Sequence, residues 1–282
     1  MRSDKLKGKV AVVTGAAGTL CSAMARDLAA QGCAVALANR TEATAAALAK
    51  ELTEGGAKAI PLAMDVTDID AVSAAAAQVR EELGSCDILI NGAGGNQMDA
   101  ITTVNEYQPE ELTGENPDLR GFFNLDMTAF RSVADINLMG TVIPSHAFGR
   151  DMAKAGGGAI VNIASMNTYR PLSRVAAYAS AKAGVSSFTQ WLAAYLAPAN
   201  IRVNAIAPGF FLNDRSRQRL TNPDGTLQER GQNIINHTPM ARFGEAEELV
   251  GCMNWLIDDT QSGFVTGITV PVDGGFLSSS GL

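Results

Sequence analysis

Tyr178-Ala-Ser-Ala-Lys182 is the stretch of this chain best suited to chemistry. A spacing of four residues puts the phenol and the ammonium on one helix face, a turn apart. A nearby ammonium favours tyrosinate, which makes the phenol a ready channel for a proton. By itself the pair is a coincidence that many helices contain. Ser165 lies upstream of the pair. A second chemical stretch, Thr14-Gly15-Ala16-Ala17-Gly18-Thr19-Leu20-Cys21, follows an apolar run and opens a helical one. Small residues there allow backbone to approach a pyrophosphate, whose charge the helix N-terminus favours. A tight strand-to-helix turn without ligand would read the same way.

The elements that must position these residues alternate in type. Lys9–Thr14 is a continuous apolar run suited to a strand buried on both faces. The periodicity predicts helices over Leu20–Ala30, Thr41–Glu54 and Asp68–Leu83, and strands over Ala34–Ala38, Ala57–Ala63 and Asp87–Ile90. Further on it predicts helices from Ser132 and from Tyr178 and over Glu245–Ile257, with strands over Ala159–Ile163, Ile201–Ile206 and Ile268–Val272. Such alternation implies right-handed crossovers and a doubly wound parallel α/β sheet of Rossmann type. No linker or repeat divides the chain, so residues 1–282 are expected to form one domain. Two irregular stretches interrupt it, an insertion at about 95–131 and a candidate substrate lid at about 210–244, with surface decoration as the alternative for each. Both follow strand carboxyl ends, where open parallel sheets bind ligands.

Composition narrows the classes. Of 282 residues, 46% are hydrophobic and 18% charged, enough apolar material for a large core. Lys plus Arg number 22 against 29 Asp plus Glu, which argues against nucleic acid as a partner. No apolar stretch approaches a membrane span and no signal segment is visible, so a soluble cytoplasmic protein is expected. Cys21, Cys33, Cys86 and Cys252 show neither disulfide nor metal spacing, and no metal is expected. No Gly-x-Ser-x-Gly elbow is present, which excludes a serine hydrolase on this kind of sheet. The second strand ends in Asn39 and Arg40, where a ribose would reach. A carboxylate there would repel a 2′-phosphate, whereas Asn followed by Arg could accept one.

The ordered set as a whole resembles the short-chain dehydrogenase/reductase family over essentially the full length. It comprises the Thr14-Gly15 loop, Asp65-Val66, Asn91-Gly92-Ala93-Gly94, Asn137, Ser165, Tyr178-x-x-x-Lys182 and Asn204-x-x-x-Pro208-Gly209. The 13-residue separation of Ser165 and Tyr178 is the one this family uses. The resemblance implies an NAD(P)-dependent oxidoreductase of secondary alcohols and ketones. Tyr178 would be the acid/base, Lys182 would lower its pKa and hold ribose hydroxyls, Ser165 would bond the reacting oxygen, and Asn137 would hold a relay water. Gly15, Ala17, Gly18, Thr19 and Leu20 would take the phosphates, and Asn39 and Arg40 the adenosine ribose. Asp65 and Val66 would contact adenine. Asn91, Gly92 and Ala93 would line the groove, with Pro208, Gly209 and Phe211 near the nicotinamide. NADP(H) is the favoured cofactor, with NAD(H) also admissible, and a homotetramer is implied.

The chain departs from the family pattern at three places. Thr19 and Cys21 replace the last two loop glycines, Gly92 stands for the second Asn of Asn-Asn-Ala-Gly, and Asn213 stands where many relatives have Thr. Several of these oddities resemble the D-mannonate oxidoreductase (fructuronate reductase) branch. The stretches shared with it include Leu20-Cys21-Ser22, Ser165-Met166-Asn167 and His237-Thr238-Pro239-Met240. That implies a small sugar-acid substrate, met by Asn96, Asn167, Phe210 and His237, with Arg215 and Arg242 as further lid cations. Gluconate or polyol dehydrogenases and ketoacyl-type reductases are the alternative chemistries. A non-enzymatic nucleotide-binding module is disfavoured because all four of Asn137, Ser165, Tyr178 and Lys182 are present. Val185, Phe188 and Leu192 form a helical apolar stripe offered to a subunit interface.

Overall fold

A computed structural model describes residues 5–212, 217 and 220–279. Apolar runs form β1 (Val10–Thr14), β2 (Ala34–Asn39), β3 (Ala59–Ala63), β4 (Ile88–Asn91), β5 (Gly158–Ile163), β6 (Ile201–Pro208) and β7 (Thr269–Val272). Every pairing among these seven strands is parallel, in the order β3-β2-β1-β4-β5-β6-β7. Among the described residues, the helices of two turns or more are α1 (Thr19–Ala30), α2 (Glu42–Glu54), α3 (Ile69–Glu82), α4 (Met127–Ala134), α5 (Gly140–Ala155), α6 (Ala176–Leu196), α7 (Glu229–Asn236) and α8 (Val250–Ile257). This is the Rossmann-type doubly wound sheet that the alternation predicts.

Strand alternation sorts the core into two layers. Ala11 and Val13 of β1 face a cluster with Met24, Leu28, Leu249 and Met253. Val10 and Val12 face the opposite cluster with Leu89, Phe148, Met152 and Val203. Burying side chains the size of Phe148 and Met24 contributes about 1.5–3 kcal/mol each. Successive strands run one way from β1 to β3 and the other way from β4 to β7. The crossovers therefore diverge between β1 and β4 and leave a crevice at their carboxyl ends.

The structure corrects several boundaries. The helix expected from Ser132 begins at Met127, where the Asp126 carboxylate accepts the Thr128 and Ala129 N–H groups at 2.7 and 3.1 Å. It then widens into a π turn over Asp135–Met139 before α5. The helix expected over Glu245–Ile257 opens as a 3₁₀ turn, Ala246–Leu249, with Glu245 and Glu248 forming a capping box. The insertion is ordered around a buried carboxylate: Glu111 accepts the N–H groups of Gln108 and Phe123 at 3.0 and 3.2 Å. A side chain on Gly121 would overlap that carboxylate.

The interface stripe is also corrected. Val185 and Leu192 are buried within the protomer, Val185 against Ala164 and Ala205, and Leu192 against the layer containing Phe148. Their spacing faces the sheet, because a helix covering a sheet must spend its apolar stripe there. The exposed face of α6 carries Trp191 and Tyr195 instead, stacked with centroids 5.0 Å apart. No described helix is long and apolar enough to cross a membrane.

Candidate active site

The turn after β1 is shaped for close approach. Gly15 has φ +65°, and a Cβ there would lie 2.9 Å from the Ala93 Cα, so the position excludes side chains on two counts. The Thr14 hydroxyl accepts the N–H groups of Gly92 and Ala93 at 3.0 and 3.1 Å and ties this turn to the end of β4. Helix α1 starts after Gly18 with no side-chain cap and no acid in its first turn. Its first N–H groups therefore face the crevice with their partial positive charge.

A groove of about 750 Å³ runs over this turn, lined by Gly15, Ala17, Gly18, Thr19, Asn39 and Arg40, and by Asp65, Val66 and Ala93. A second lobe of about 300 Å³ continues between Leu20 and Gly92 towards Ile163. Nine of the expected dinucleotide-contacting residues line the first lobe, and Leu20 and Gly92 line the second. Shape, N–H groups and volume fit an extended dinucleotide. Asn91 instead lies beneath the groove, its amide donating to Ser145 and Asn162 at 2.8 and 2.9 Å.

At the adenosine end, the Asn39 amide is anchored to Thr44 Oγ1 at 3.1 Å, with the Ala17 N–H 3.5 Å from its Oδ1. Arg40 is exposed on the same wall. The Asp65 carboxyl is held below its ordinary pKa by hydrogen bonds from Thr67, and Arg40 adds to the effect.

The four expected catalytic residues converge beyond the second lobe. Lys182 is 4% exposed, its Nζ donating to the Ile163 carbonyl at 2.7 Å and lying over the Tyr178 ring, 5.7 Å from the centroid. Burial pulls the ammonium down to about 8. Burial pushes the Tyr178 phenol up, and its hydrogen bond with Ser165 only partly offsets that. The net direction is upward, opposite to the lowered phenol that the resemblance implies, because burial is the largest effect on the group. Ser165 accepts both the backbone N–H and the side-chain amide of Asn167 at 3.2 Å, which occupies its lone pairs and leaves its one proton for Tyr178. Asn137 sits at the π turn. Its amide protons go to the Gly95 and Val133 carbonyls at 2.7 and 2.8 Å, and its Oδ1 accepts the Gly95 N–H at 3.2 Å. For a relay water the side chain retains only a lone pair of that oxygen.

The short-chain dehydrogenase family model matches residues 9–223. The chain is a short-chain dehydrogenase/reductase. It is 47% identical, over 99% of its length and 98% of the relative's, to UxuB, an uncharacterised oxidoreductase of Bacillus subtilis. A crystal structure from Haemophilus influenza with bound NAD, provisionally named a D-mannonate oxidoreductase, superposes with a TM-score of 0.93 at 40% identity, covering 99% and 98% of the two chains. A gluconate 5-dehydrogenase from Burkholderia cenocepacia, in complex with NADP and tartrate, gives a TM-score of 0.81 at 28% identity over 98% and 97%. The chain is thus an oxidoreductase of the class acting on CH–OH donors, in a fold whose members bind NAD or NADP.

Within this short-chain dehydrogenase the expected substrate residues are scattered. Asn96 is exposed beside the groove-lining Gly94 and Gly95. Asn167 is buried, with Oδ1 accepting the Leu172 N–H at 2.9 Å, so both ends of its amide are engaged inside the protein. His237 is exposed at the end of α7, with Nδ1 2.7 Å from the Asn233 carbonyl. Phe210 packs edge-on against Phe276, and with Phe211 it lines a separate cavity of about 390 Å³ that includes Met240 and Asp273. Phe211 thus lines that cavity and neither of the two groove lobes described above. Arg242 forks onto Glu248 at 2.6 and 2.7 Å. Pro208 ends β6, and the Gly209 N–H that follows donates to the Val272 carbonyl at 2.9 Å. Arg215 and Asn213 lie outside the described residues.

Sequence reasoning missed Thr44, Met64 and Ile136 in the groove wall, and Cys21 and Ile163 in the second lobe. Thr44 alone carried a signal, since it stands five residues after Asn39 on the first turn of the following helix. The apolar residues read as ordinary core.

Proposed function

We propose that this oxidoreductase interconverts a secondary alcohol and a ketone in a small sugar acid of the D-mannonate/D-fructuronate type. The convergence of Ser165, Tyr178 and Lys182 at the end of the dinucleotide groove carries the reading. A bound nicotinamide dinucleotide supplies or accepts the hydride. Tyr178 gives its proton to the nascent alkoxide in reduction and takes it from the alcohol in oxidation. Ser165, with its lone pairs filled by Asn167, directs its own proton at the same oxygen. Lys182, charged below about pH 8, holds the ribose hydroxyls and stabilises negative charge on the phenol. Asn137 keeps Gly95, and with it the groove rim, in place.

Asn96 and the free ring nitrogen of His237 meet the substrate's hydroxyls and carboxylate, and Phe210 forms the apolar wall of the closed lid. The cofactor is NADP(H) in preference to NAD(H), on the strength of Arg40 and the absence of an acid at Asn39. The protein works as a homotetramer, using the exposed aromatic row of α6. A panel of sugar acids, uncharged polyols and ketoacyl thioesters, each with both dinucleotides, tests the reading. Turnover of D-fructuronate or a close sugar acid far above that of uncharged ketones is expected. Equal activity on charged and uncharged substrates overturns it.

A further inference from the structure

Two of the departures from the family pattern, Cys21 and Gly92, meet in space. A Cβ built on Gly92 would overlap the Cys21 sulfur and would lie 3.1 Å from the Thr14 carbonyl. Gly92 does not adopt the left-handed conformation that glycine alone tolerates easily. Its missing side chain is therefore a matter of space, and the sulfur has taken that space. Cys21 is 3% exposed in the first turn of α1 and packs in the core layer with Ala16 and Ile163. Burial pushes its thiol up to about 12, so it presents a neutral, weakly polar surface. Both residues line the second lobe of the groove, which runs from the phosphate loop to Ile163, the residue whose carbonyl holds Lys182.

We propose that Cys21 and Gly92 act as one positioning unit that sets the depth of the groove between the phosphate loop and the end of β4. The junction admits one side chain beyond Cβ, and in this chain α1 supplies it rather than β4. This inference rests on the dinucleotide reading of the groove. A methyl on Gly92 would drive the sulfur into a packed layer and shift the first turn of α1, with its Thr19 and Leu20 N–H groups, away from β4. Removing the sulfur would leave a void at the same junction. Made together, the two changes compensate, because the new Cβ occupies the place the sulfur vacated.

The test is a double-mutant cycle on the full chain with Cys21→Gly, Gly92→Ala and the pair combined. Dissociation constants for NADPH and NADH are read by nucleotide fluorescence, and melting temperatures are read without ligand. Gly92→Ala is expected to weaken both dinucleotides about tenfold and Cys21→Gly about threefold, with the double variant returning to within about threefold of wild type. Michaelis constants for the dinucleotide should follow these losses while kcat changes far less, since Tyr178 and Lys182 are untouched. If Gly92→Ala fails to fold, Cys21→Ala/Gly92→Ala must fold and bind. A double variant no better than the product of the single losses, or Gly92→Ala binding like wild type, overturns the pair. Wild-type protein that binds neither dinucleotide overturns the dinucleotide reading of the groove instead.

Discussion

Arg174 and Thr102 hold each other twice. The Thr102 N–H donates to the Arg174 carbonyl at 3.0 Å, and Arg174 Nε donates to the Thr102 carbonyl at 2.6 Å. Arg174 has φ +74°, strained for a residue with a side chain, and stands four residues before Tyr178. The insertion also packs Ala100 into the cluster that includes Ala177 and the Tyr178 ring. The insertion thus buttresses the phenol, and the latch keeps the strained turn in place. Arg174→Ala should lower kcat about tenfold with dinucleotide affinity unchanged. Arg174→Gly, which relieves the strain but also lacks the side-chain bond, should lose no less. Steady-state kinetics beside nucleotide titration check this, and wild-type kcat in both variants refutes the buttress.

Tyr178→Phe retains the ring and its packing but removes the transferable proton. Turnover should fall by a factor on the order of 10² or more with the dinucleotide still bound. Near-normal turnover would eliminate the proposed acid/base role.

Lys182 ties stability to pH in an inverted sense. Burial depresses its folded pKa to about 8 from 10.5, so the unfolded chain binds more protons between these values and stability rises with pH across the window. Below pH 8 the buried ammonium costs roughly 3 kcal/mol relative to an unperturbed lysine. The melting temperature of Lys182→Met, relative to wild type, should therefore be most favourable below pH 8 and decline towards pH 10.5, while turnover is lost. A difference that stays constant from pH 6 to 10 would contradict this account of the burial.

Asn39→Asp places a carboxylate where a 2′-phosphate would lie, beside the Arg40 wall of the groove. The ratio of kcat/KM for NADPH to that for NADH should fall at least tenfold. No movement in the ratio would mean that the ribose pocket lies elsewhere.

Trp191 and Tyr195 are 60% and 67% exposed on α6, with Phe188 stacked on Trp191 at 6.4 Å. Trp191→Glu/Tyr195→Glu should convert the expected tetramer to smaller species in light scattering while leaving far-ultraviolet dichroism unchanged. A wild-type monomer at micromolar concentration would end the assembly proposal.

The sequence by itself determined the local chemistry and the order of elements. Strands buried on both faces read as near-continuous apolar runs, and phosphate turns must be made of small residues. Tyr178 and Lys182 could share a face only at helical spacing. Those constraints are local, so they are written in short stretches such as Lys9–Thr14 and Tyr178–Lys182. Only the tertiary structure decided which side chains are spent on the protein itself. Asn167 turns inwards to Ser165, Arg242 pairs with Glu248, and Val185 and Leu192 face the sheet rather than another subunit. The contact of Cys21 with Gly92, and that of Thr102 with Arg174, join positions more than 70 residues apart. No periodicity carries such pairs, because they arise only when segments distant in the chain come to share the same space.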